Sequence, residues 1–188
     1  MMKDRKVWVI FITVFFLLPS ADRGALFANA PDRIQKPDYE VKAGIITRII
    51  QYCDWPGESP LSHPNGHFII GTFEEDDVIS YLQQRTESRK IKEKEVKFIL
   101  IQNDEDIKKC NMIYINDISQ KKLKTVLETI GDLPILTVGD DKELAENGVM
   151  VSMYRTSKKM AFSVNHTTLR KNHLHLHSRV LSLADKIL

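Results

Sequence analysis

The sequence predicts an α/β domain: a mixed, mostly parallel β-sheet flanked by helices on both faces, with a C-terminal β-hairpin. Three observations lead there. Ile135 to Val138 and Met112 to Ile115 are short, apolar, β-prone runs of the kind that form strands buried on both faces. Between such runs lie segments with apolar residues at helical spacing, and strands alternating with helices of this length imply parallel crossovers. Near the end, Val149 to Tyr154 and Met160 to Val164 flank the polar turn Thr156-Ser157-Lys158-Lys159, which reads as a hairpin.

Residues 1–30 read as an address rather than as fold. Lys3, Arg5 and Lys6 precede the apolar run Val7 to Leu18, broken only by Thr13. Those 12 residues fall short of the ~20 that span a membrane. Ala28-Asn29-Ala30 offers a signal-peptidase pattern, so export and cleavage are expected, with an uncleaved anchor as the alternative. The leader holds four Lys/Arg against two Asp/Glu, which leaves the rest of the chain near zero net charge. That argues against nucleic-acid binding, which needs a surplus of positive charge. Residues 31–38, polar and with two prolines, read as a linker; residues 39–188 form the domain.

The first helix is expected over Tyr39 to Asp54, with Tyr39, Ala43, Ile46, Ile50 and Cys53 on one face. Trp55-Pro56-Gly57 ends it, since residues before proline avoid the α region. After the loop 58–66, His67 to Phe73 is the first core strand, with Gly71 allowing close backbone approach. Glu74 to Asp77 reads as an acidic helix N-terminus rather than a cation site. Arg85 to Lys94, with five Lys/Arg, reads as a solvated loop rather than an anion-binding patch. Glu95 to Ile101 is the second strand, Asn103 to Lys109 a helical turn, and Met112 to Ile115 the third strand. Ser119 caps a helix carrying Leu123, Val126, Leu127 and Ile130, which Gly131 ends. After Ile135 to Val138, Asp140 and Glu143 form a capping-box pattern, and Gly148 stops the short helix that follows. His166 to Asn172 is a helix or turn, and His173 to His177 alternates with Leu174 and Leu176 facing inward. Ser178 caps a final helix carrying Val180, Leu181, Ala184 and Ile187.

Catalytic chemistry finds little footing. There is no nucleophile elbow, no glycine-rich dinucleotide fingerprint and no phosphate loop. A non-enzyme without cofactor is expected. His173, His175 and His177 are weak metal candidates, since histidines two apart on a strand share a face, but no further ligand stands at diagnostic spacing. Cys53 and Cys110 are an even pair, which an oxidising compartment invites to bridge; a closed loop of that length would stabilise by about 4 kcal/mol. Trp55 and Pro56 are either a contact anchor for a partner or a cover for the sheet edge.

The order of several blocks resembles the YfiR family of periplasmic proteins. These are Lys42-Ala43 through Asp54-Trp55-Pro56, Phe68 to Gly71, and Cys110 before Met112-Ile113-Tyr114-Ile115. Leu136 to Asp140, Glu146 to Met150 and Phe162 to Asn165 follow. Gly71, Gly148, Phe162 and Asn165 are structural positions of that pattern. The resemblance implies a homodimeric α/β protein that binds an inner-membrane diguanylate cyclase, or another membrane sensor protein, and holds it inactive. Cyclic di-GMP and biofilm formation would fall in consequence. The chain departs from the pattern at Asn111, where a histidine commonly follows the cysteine. It departs again at Ile69 and Ile70, where relatives often carry a cysteine. The family disulfide therefore does not transfer directly, and Cys53 either replaces the missing partner or stays free with Cys110. The competing expectation is a small-ligand-binding module feeding a sensor kinase or transporter.

Overall fold

The computed structural model describes residues 36–57 and 66–188, all within one compact unit, Lys36–Leu188. The expected signal peptide, residues 31–35 of the linker and loop residues 58–65 lie outside the described residues. In chain order the elements are α1 (Asp38–Gln51), β1 (Cys53–Asp54), β2 (Phe68–Thr72), α2 (Asp77–Thr86), β3 (Val96–Leu100), α3 (Asp104–Lys109) and β4 (Met112–Ile115). There follow α4 (Gln120–Ile130), β5 (Leu136–Gly139), a 3₁₀ turn (Lys142–Ala145), β6 (Val151–Arg155) and β7 (Met160–Val164). The chain closes with α5 (His166–Lys171), β8 (His175–Leu176), α6 (Ser178–Leu181) and β9 (Lys186–Ile187).

Within the described residues the main sheet has seven strands in the order β3-β2-β4-β5-β6-β7-β9. The first five run parallel, β7 turns back antiparallel on β6, and β9 lies parallel to β7. The parallel part has the doubly wound order in which the chain starts in the middle, moves to one edge, then crosses to the other side. Alternate residues of each strand feed two cores. Phe68, Ile70, Met112, Tyr114, Leu136 and Val138 pack with α1, α2 and the C-terminal segment, through residues such as Ile46, Ile79 and Leu169. Ile113, Ile115, Ile135 and Val149 pack with α3 and α4 on the opposite face, through Ile107, Leu123 and Ile130. The expected mixed sheet with helices on both faces is the observed architecture.

Local chemistry sets most of the helix starts. The side chains of Asp76, Asn103, Ser119 and Asn165 each accept a hydrogen bond from a backbone N–H of the first turn that follows. Gly131 (φ 54°) and Gly148 (φ 100°) take left-handed conformations where α4 and the 3₁₀ turn end. Gly71 is required for space instead. A Cβ there would stand 2.5 Å from the Cys110 sulfur and 2.8 Å from Ile101 Cδ1.

Several expectations are corrected. The first helix stops at Gln51, because Cys53 and Asp54 leave it to pair antiparallel with Leu176 and His175 of β8. The turn after β5 is capped by Asp141, not Asp140: Asp141 accepts from Glu143 N at 2.8 Å, while Asp140 is held by long-range partners. Ser178 is the first residue of α6 rather than its cap, and His177 at the cap position makes no capping bond to the first turn. That helix ends at Leu181, and Ile187 belongs to β9, in register with Val164, because the sheet edge offers backbone hydrogen bonds. His173 is not in a strand: its φ of 57° forms the left-handed exit from α5.

Candidate functional site

Two surfaces stand out for what they could bind. The first is the crevice at the carboxyl ends of β2, β4 and β5. In doubly wound sheets this is the place where the chain reverses its direction of winding and where ligands usually sit. It has a volume of about 570 Å³ and is lined by Glu74, Asp76, Asn116, Asp117, Asp140 and Asp141 among others. Three of its lining residues, Asp140, Asn116 and Asp76, join a polar network. Lys42 of α1 donates to Asp140 Oδ2 at 2.7 Å, and the Tyr114 hydroxyl donates to the same oxygen at 3.1 Å. Asn116 Nδ2 donates to Asp76 Oδ2 at 2.9 Å, while Asp76 Oδ1 caps α2. Burial pushes the Tyr114 hydroxyl beyond the ordinary tyrosine range, and the neighbouring charges of Asp140 and Asp76 push it further. Tyr114 is therefore a neutral donor, held between two carboxylates. The Lys42–Asp140 pair joins two of the blocks that carry the family resemblance, so that pattern records a helix-to-sheet latch. Sequence reading missed it because the partners are 98 residues apart.

The second surface is apolar. Among the described residues the exposed large hydrophobic side chains are Leu100, Leu133, Leu183 and Ile187. Leu183 borders a groove of about 320 Å³ between α1, β7 and α6, whose walls include Val41, Gly44, Ile45, Arg48 and Phe162. Ile187 is in register with Val164, whose side chain faces α1, so Ile187 lies on the same face as the groove. Leu183 and Ile187 are 55% and 52% exposed. Exposed apolar side chains on one face beside a groove mark a contact surface more often than an isolated exposed leucine does.

The residues singled out from sequence fall elsewhere. Trp55 packs edge-on against Phe68, with ring centroids 5.5 Å apart, and its indole N–H is buried without a partner. It covers core, and Pro56 beside it is half-buried. Cys53 and Cys110 are free, buried thiols in separate clusters on opposite faces of the sheet. Of the two alternatives the sequence left open, a bridge or two free thiols, the structure has the free thiols, with the sheet between them. Burial raises each thiol from its ordinary 9.0 to about 12. His175 and His177 lie together beside Asp54 while His173 exits α5, and among the described residues no group of three or more ligating side chains is arranged around a metal position.

The residues of the recognised pattern have structural duties. Asn165 caps α5 through its oxygen and donates through its nitrogen to Ala145 O at 2.9 Å. Phe162 is buried against α1's side of the sheet. Gly71 makes room for Cys110, and Gly148 supplies a positive φ with Leu127 close by.

Comparison with solved structures finds the fold in a conserved domain protein from Vibrio cholerae O1 biovar El Tor (TM-score 0.54, 10% identity, 80% of this chain and 60% of that one). It is found again in an ABC domain in complex with L-Trp from Streptococcus pneumoniae (TM-score 0.53, 11% identity, 76% of this chain and 59% of that one). At such identities the likeness is one of fold alone, and this chain spans less than two thirds of either. No curated protein sequence matches significantly. A family model described as YfiR/HmsC-like matches residues 39–185, which is almost the whole described domain, and the chain belongs to that family.

Proposed function

We propose that this chain is a periplasmic regulatory protein that binds a membrane diguanylate cyclase and holds it inactive, lowering cyclic di-GMP. The observation that carries the reading is the family match along residues 39–185. That family points to regulation of diguanylate cyclases from the periplasm rather than to catalysis. The position of the apolar side chains supports contact as the mode of action. Leu183 borders the α1–α6 groove and Ile187 is exposed on the same face of the sheet, where a partner's apolar segment would bury them. Repression then follows from mass action: binding favours the partner's inactive state by the difference in affinity between its two states and no more.

The test is binding of the purified domain to the periplasmic segment of the membrane cyclase. Saturable binding is expected, with Leu183→Asp weakening it while the fold survives, because that side chain is exposed. Binding unchanged in Leu183→Asp moves the contact to another face, and no binding at all removes the reading. A second reading, a small-ligand module serving a sensor kinase or transporter, draws on the crevice at the strand ends. Under it, Leu183→Asp is silent and a change at Asn116 alters ligand response.

A further inference from the structure

β3 forms one edge of the main sheet, at the opposite end from β9. Its pairing with β2 fixes which backbone groups are left over. Phe68 N–H donates to Glu95 O and Ile101 N–H donates to Thr72 O, each at 2.8 Å. In a parallel ladder both backbone groups of a residue point to one side, alternating along the strand. Those of Lys97 and Ile99 therefore turn toward β2, and those of Val96, Phe98 and Leu100 turn outward. Among the described residues no strand pairs with that outer edge. The side chains of the same three residues share a face. Val96 and Phe98 are half-buried against the core on the α1–α2 side, and Leu100 is 48% exposed. A groove of about 450 Å³ lies between β3 and the end of α2, lined by Gln83, Thr86, Arg89, Lys90, Val96 and Phe98 among others. Arg89, Lys90 and Lys97 are exposed. Of the carboxylates on this rim, Glu95 stands 3.6 Å from His67 Nε2 and Glu87 borders the groove.

We propose that the outer edge of β3 receives an extended acidic segment of another protein, which adds to the sheet as a further strand. The outward N–H and C=O groups of Val96, Phe98 and Leu100 supply the main-chain pairing, which gives such strand addition its affinity. Alternation supplies the choice of side chains. Every second side chain of the added strand lies over the face of Val96, Phe98 and Leu100 and reaches the groove, so those positions are apolar. The side chains between them fall beside Lys97 on the opposite face, so those positions are carboxylates, since opposite charges across a strand pair attract. Arg89 and Lys90 add positive charge at the end of the groove. Charge also decides against a second copy of this chain. Two β3 edges paired antiparallel about Phe98 would oppose each Lys97 to an Ile99. The two Lys97 side chains would then be diagonal neighbours about 7–8 Å apart, where like charges repel. Lysine on an exposed edge is a common guard against self-pairing. Here it turns away its own copy and admits a carboxylate. The site is separate from the groove beside Leu183 and does not depend on the cyclase contact.

The test titrates the full folded chain into a fluorescent peptide of about eight residues, a common strand length, that alternates valine with glutamate. Anisotropy should show saturable binding. The same peptide with lysine for glutamate should bind more weakly, and Lys97→Glu should reverse that preference. A fully N-methylated peptide, which keeps the side chains and removes every backbone donor, should not bind. Leu100→Pro removes one outward N–H at a position where an edge strand tolerates proline, and should weaken binding about tenfold by leaving an acceptor of the peptide unpaired. Amide exchange of the natural chain followed by NMR reads the pairing without any substitution: the peptide should slow exchange at Val96, Phe98 and Leu100 and leave Lys97 and Ile99 as they were. Absence of saturable binding overturns the proposal, and so does binding that the N-methylated peptide retains. A dimer in sedimentation that Leu100→Pro dissolves would also overturn it, by showing that a second copy takes the edge.

Discussion

Tyr114 holds one of the carboxylates that line the crevice. Its ring is fully buried, and its hydroxyl donates to Asp140, which also takes Lys42. Tyr114→Phe keeps the ring and removes the donor, leaving a half-buried carboxylate with one partner fewer. A loss of about 1.5–3 kcal/mol is expected, the range for a hydrogen bond to a charged group, measured by denaturant unfolding. A loss near zero would mean that water replaces the hydroxyl without cost. The two cysteines make a second case at this scale. Both thiols titrate at about 12 in the folded chain against an ordinary 9.0. The folded-state value is the higher one, so between the two values the unfolded chain has lost protons that the folded chain keeps. Their contribution to stability is complete below about 9.0 and falls as pH rises toward about 12. Alkaline unfolding with that onset, and slow thiol labelling until denaturant is added, are the expected results. Fast labelling of the native chain would place a thiol at the surface.

Elements show why some of the fold is legible in the sequence and some is not. Met112 to Ile115 and the Ser119-capped helix are plain, because buried strands and first-turn caps are written in adjacent residues. Asp140 and Asp141 are not, since aspartate at either place could cap, and only distant partners engage Asp140 and leave the cap to Asp141. Ile187 continued a helical pattern, yet it ends in β9 because the edge of β7 was open. Cys53 sat on the apolar face of the predicted helix and is still buried, but in a strand that pairs with β8. The His175–His177–Asp54 cluster was half visible: the histidine spacing is local, and Asp54 arrives only through that pairing. Gly71 tests packing between β2 and the turn before β4. Gly71→Ala drives a methyl to within 2.5 Å of the Cys110 sulfur and 2.8 Å of Ile101. Overpacking of this sort costs about 1–3 kcal/mol. Combining it with Cys110→Ala should cost less than the two changes summed, as expected for residues in contact. Additive losses in the double variant would show that the strain lies elsewhere.

Across the whole molecule, the two faces of the sheet have different roles. One is closed by α3 and α4, with its own core. The other carries α1, α2 and the C-terminal segment, and the Lys42–Asp140 pair, the β1–β8 clasp and the groove beside Leu183 all involve elements on that side. On the proposed reading, this second side is the one that presents apolar side chains to a partner. That division also explains why residues identified by the family pattern are structural ones: they hold the frame, while the groove's rim is left to exposed side chains. Trp55 belongs to the frame, packed against Phe68. Trp55→Ala should therefore lower stability by about 3–5 kcal/mol, or somewhat less given its partial exposure, whereas Leu183→Asp should change thermal stability little and act on the partner. The most direct measurement is the intracellular cyclic di-GMP level in native cells lacking this gene, complemented with the natural chain or with Leu183→Asp. The account predicts a rise on deletion, reversal by the natural chain, and no reversal by Leu183→Asp exported at equal abundance. An unchanged level on deletion, in cells that carry a partner cyclase, would contradict it.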